Sequence, residues 1–67
     1  MDEQRVQTVE GEEIHLEKGG SGWPYINGQR VGAVNFIDYN VIALTVQERT
    51  FYLLLEEYQR VMEQRES

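Results

Sequence analysis

Thr45–Arg65 reads TVQERTFYLLLEEYQRVMEQR, and the folding of this stretch decides the architecture of the chain. Thr45 and Glu48 form the T-x-x-E pattern of a capping box, in which a hydroxyl and a carboxylate satisfy backbone N–H groups that open a helix. Phe51, Leu54, Leu55, Tyr58, Val61 and Met62 then recur at helical spacing and make one apolar stripe. Arg49, Glu56, Glu57, Arg60 and Glu63 take the opposite side, where local ion pairs contribute about 0.2–0.5 kcal/mol each. No Gly or Pro interrupts the run. The spacing predicts one amphipathic helix over about 46–65, its stripe packed on a small sheet.

Two residues do not fit that helix. At about 100° per residue Leu53 points away from the stripe, beside Arg49 and Arg60, and Tyr52 sits on the flank. Single exposed apolar residues are ordinary. The alternative is that Tyr52 and Leu53 enter a second interface.

Working back along the chain, Val41–Leu44 reads as the strand before the helix, with Asp38-Tyr39-Asn40 as the turn that leads into it. Ile26-Asn27-Gly28-Gln29 is the strongest hairpin signal, because Asn-Gly suits a turn whose two central residues both need positive φ. It joins a strand at 23–26 to one at 29–37. Further back, Ile14 and Leu16 alternate with Glu13, His15 and Glu17, the pattern of a half-buried strand over 12–18. Glu10-Gly11 supplies a turn to a first strand at 5–9, and the residues before it are polar. The expectation is a small α+β fold: one domain over 1–67, an antiparallel sheet of four to five strands, and a C-terminal amphipathic helix on one face.

That arrangement leaves a conflict. Val31, Ala33 and Ile37 alternate with Val34 and Phe36, and Val41 and Ala43 with Ile42 and Leu44, so both faces of these strands are apolar. One helix covers one face. The N-terminal hairpin or a second copy must cover the other, and a short chain without staples favours a homodimer or higher homo-oligomer.

Composition narrows the chemistry. The 67 residues carry no Cys and one His, which excludes disulfides and thiolate metal sites and fits a reducing compartment. No metal and no cofactor is expected; the Glu13–His15–Glu17 row reads as a solvated strand face. The net charge of −6 argues against direct nucleic-acid binding and against an anionic membrane surface, and suits a basic surface on another protein. No apolar run is long enough to cross a membrane and no signal-peptide pattern opens the chain, so a soluble cytoplasmic protein is expected.

Catalysis is not expected. Ser21 lies in a glycine loop, Ser67 is terminal, and His15 is alone, so no nucleophile has a matched base and no catalytic residue is assigned. Gly19-Gly20-Ser21-Gly22 is a flexible loop that meets neither the phosphate-loop nor the nucleophile-elbow pattern. Trp23 and Tyr25 follow it directly, and aromatics bury much area with little entropy loss. The candidate partner- or ligand-binding residues are therefore Trp23, Tyr25, Arg30, Tyr52 and Leu53.

Two functions fit. One is a small acidic protein-binding module anchored by Trp23 and Tyr25; size and composition alone associate such chains with phage and mobile-element inhibitors or regulators of host proteins. The other is a protein that sequesters a nucleotide-like ligand at a homo-oligomer interface, with Arg30 on the phosphate.

Overall fold

The computed structural model describes residues 4–63. It is a small α+β fold of antiparallel strands followed by one C-terminal helix, as expected. Among the described residues the strands number seven, in two sheets. The first sheet holds β1 (Arg5–Gln7), β2 (Glu13–Lys18), β3 (Pro24–Ile26) and β4 (Gln29–Arg30), in that spatial order. The second holds β5 (Ala33–Asp38), β6 (Val41–Val46) and β7 (Arg49–Leu54), and α1 (Leu55–Met62) follows without a loop.

The helix expected over about 46–65 is the main correction. Position 46 ends β6, 47 and 48 turn the chain, and 49–54 are strand β7; α1 has eight residues, and positions 64 and 65 lie outside the described residues. Thr45 is inside β6, paired with Thr50, and is no helix cap. The residue at the true helix start is Leu54, in extended geometry with no side-chain cap bond. Gln47 and Glu48 instead form a two-residue turn between Val46 and Arg49. Gln47 holds φ +57, a left-handed conformation uncommon for a residue with a side chain.

Period two decides β7. Phe51 and Leu53 face Leu44 and Ile42 across the ladder and are buried; Tyr52 and Leu54 face Ala43 and Val41 and are exposed. Phe51, Leu54 and Leu55 share helical spacing only because apolar residues are dense here. Burying Leu53 fully contributes on the order of 1.5–3 kcal/mol, which a helix pointing it at solvent would forgo.

The turns around the first sheet match the sequence better. Asn27 and Gly28 have φ +50 and +83, and Asn27 Oδ1 accepts the His15 N–H, tying the hairpin back to β2. Gly11 has φ +98 in the β1–β2 turn, where the buried Thr8 hydroxyl accepts the Glu12 N–H. The strand expected over 29–37 is broken at Val31-Gly32, where the chain passes from the first sheet to the second. A bulge between Phe36 and Asp38 ends the regular register of β5.

The core lies between the two sheets. Val6, Ile14, Leu16 and Ile26 come from the first; Ile42, Leu44, Val46, Phe51 and Leu53 come from the second. Val31 fills the crossover and Val61 comes from α1, which packs on β2, β6 and β7. The inner face of the second sheet is thus covered by the first sheet, with the helix closing one side. Ile42, Leu44 and Val31 are inside one copy. Phe36 and Ile37 are not: they remain 70% and 58% exposed.

Candidate binding surface

Trp23 is partly buried and built into the fold. Its indole Nε1 donates to the Val31 carbonyl, while the Val31 N–H donates to the Pro24 carbonyl, so both backbone groups of the crossover residue are held. The Arg30 guanidinium lies 5.2 Å from the Trp23 ring centroid, covering one face of the indole. A ligand stacked on that face would have to displace Arg30. Arg30 itself is exposed on β4, opposite Tyr25.

Tyr25 is half-buried and packs on Gly19, where a Cβ would stand 2.3 Å from the ring. The Gly19–Gly22 loop closes on itself: Gly19 N–H donates to Trp23 O and Gly22 N–H to Gly19 O. The structure therefore brings Trp23, Tyr25 and Arg30 together at one end of the first sheet. Tyr52 and Leu53 lie on opposite faces of the second sheet. Leu53 is a correction: expected at solvent or in a second interface, it is 0% exposed because β7 turns it inward.

The outer face of the second sheet carries residues that the sequence reading did not single out. Leu54 is 39% exposed and lies at the junction of two shallow recesses. One, of about 290 Å³, runs between Tyr39, Asn40 and the first turn of α1; the other, of about 400 Å³, runs toward Gln7 and Val9. Val9 is exposed beside them, and its N–H donates to the Tyr52 carbonyl, anchoring the β1–β2 turn along β7. Tyr52 shares the outer face with Leu54, and Tyr39 is 87% exposed at the β5–β6 turn.

Carboxylates rim this floor. Glu56 lines the first recess and Glu57 the second, the latter accepting from Arg60 Nη2 at 2.8 Å. A carboxylate on the β1–β2 turn, Glu12, pairs with Arg49, whose guanidinium also lies 4.4 Å from the Phe51 ring centroid. The signal for Leu54 was present as the apolar pair Leu53-Leu54. In a strand such a pair must place one member outside.

His15 Nε2 stands 3.8 Å from Glu17 Oε1 on the outer side of β2. Among the described residues no group of three or more His, Asp or Glu side chains is placed to hold a metal ion, and no helix is long and apolar enough to cross a membrane.

These features define a small α+β protein with two antiparallel sheets and an apolar patch, edged by carboxylates, on the outside of the second. No family model matches the sequence, and no curated protein and no solved structure is significantly similar to it.

Proposed function

We propose that this chain is a small acidic protein-binding module that acts by occupying a surface of its partner, in the manner of an inhibitor or regulator. The observation that carries the reading is Leu54: an apolar side chain at the junction of two recesses, flanked by Tyr39, Tyr52 and Val9 and rimmed by Glu56 and Glu57. Apolar contact supplies affinity, and the carboxylates favour a partner with basic groups around its own apolar contact. The net charge of −6 steers such an encounter from a distance. The absence of Cys suits a reducing compartment, and a cytoplasmic location is part of the proposal.

The contact is placed on the second sheet and not on Trp23, because the indole is engaged by Val31 and Arg30. Immobilised protein, incubated with lysate from cells that express it, tests the reading. Retention of a partner should fall with rising salt, and Leu54→Asn and Glu56→Lys should each abolish it while circular dichroism stays native. Undiminished retention by both variants contradicts the proposal.

A further inference from the structure

We infer that a second copy of this chain pairs with the free edge of β5, in antiparallel register, about a twofold axis at Asn35. The Val9 N–H donates to the Tyr52 carbonyl, so Tyr52 bonds away from β6. Antiparallel bonding alternates, so Ala43, opposite Tyr52, turns its backbone groups toward β5. The Thr45 carbonyl accepts from Gly32 N–H, which places Thr45 in the same phase. Asn35, paired with Ala43, therefore bonds inward, and Val34 and Phe36 present their N–H and C=O groups to the open edge.

Among the described residues this is the long unguarded edge. β1 and β4 have three and two residues, and the β1–β2 turn lies along β7. β5 has six residues and contains neither Lys nor Pro, the usual guards against pairing. With the axis at Asn35, Val34 faces the second copy's Phe36 as a hydrogen-bonded pair, and Phe36 faces its Val34. Both side chains project to the inner side, where Val34 is half-buried and Phe36 is 70% exposed, so the pairing covers the largest apolar side chain that the first sheet leaves uncovered. The two Asn35 side chains meet across the axis on the outer face.

Charge favours the antiparallel arrangement. Asp38 is the single charged residue of β5. The two Asp38 residues would stand about 20 Å apart at ~3.4 Å per residue, well beyond the screening length of about 8 Å, whereas parallel pairing would set them side by side. The interface is separate from the Leu54 patch, and the two proposals fail separately.

Light scattering on a sizing column at micromolar concentration and above should give twice 7.9 kDa for the parent protein. Val34→Pro removes an N–H that faces outward, which an edge strand tolerates, and should leave a folded monomer. Asn35→Cys places the only thiols of the dimer across the axis at a spacing that a disulfide can bridge, so it should cross-link under mild oxidation while Thr50→Cys does not. A parent protein that stays at 7.9 kDa overturns the inference. So does a dimer in which Asn35→Cys fails to cross-link, which would show pairing elsewhere.

Discussion

The indole nitrogen of Trp23 donates to the carbonyl oxygen of Val31, at the point where the chain leaves one sheet for the other. Val31 is fully buried, so without the indole its carbonyl would lack that partner. Trp23→Phe keeps most of the ring and deletes the donor. It should cost about 1–3 kcal/mol, read from urea unfolding midpoints, and leave partner retention unchanged. Parent-like stability would show that the bond contributes nothing.

Leu53 and Leu54 are neighbours in sequence and opposites in environment. Leu53→Ala removes a fully buried side chain and should destabilise by about 2–5 kcal/mol, enough to unfold much of so small a protein. Leu54→Ala should change stability by only about 0.5 kcal/mol. Equal effects would contradict the placement of β7.

Gln47 holds φ +57 between β6 and β7, a conformation that costs a side-chain-bearing residue roughly 1–2 kcal/mol. Glycine adopts it freely but loses about 0.5–1 kcal/mol in unfolded-state entropy. Gln47→Gly should therefore raise stability by up to about 1 kcal/mol, seen as a higher thermal midpoint. A lower midpoint would place this turn in another conformation.

Burial raises the Tyr58 hydroxyl above the ordinary tyrosine value. The folded state then holds the phenolic proton more tightly than the unfolded chain. Its contribution to stability is complete below about pH 10, the ordinary value, and is lost as pH rises through the raised one. Tyr58→Phe should lessen the alkaline decline in stability, followed by urea unfolding across that range. An unchanged slope would assign the decline to other groups.

The local signals in the sequence were sound where a turn residue or an unbroken period announced the structure. Asn27-Gly28 and the alternation around Ile14 and Leu16 placed the first sheet, and the two-sided apolar pattern of Ile42 and Leu44 against Val41 and Ala43 is what β6 shows. The β6–β7 hairpin was hidden because Gln47-Glu48 has none of the usual chemistry of a two-residue turn, and because T-x-x-E imitates a helix start. Leu53 carried the sharper contradiction: of the two residues that did not fit the helix, it was the one pointing directly away from the apolar stripe. Trp23, Tyr25 and Arg30 do cluster, but the hydrogen bond from Trp23 to Val31 depends on a crossover eight residues on that no local pattern encodes. The exposed patch at Leu54 could be found only after its strand was.

The binding face exists only if Arg49–Leu54 is a strand that turns Leu53 inward and Tyr52 and Leu54 outward. Proton nuclear Overhauser contacts in solution test this directly. The pairs Thr45–Thr50 and Ala43–Tyr52 should show strong Hα–Hα contacts across the hairpin, since their backbone groups bond away from each other and bring the Cα atoms close. Strong sequential amide contacts from Arg49 to Leu54, without those cross-strand contacts, would mean that this stretch is helical and would remove the proposed binding face.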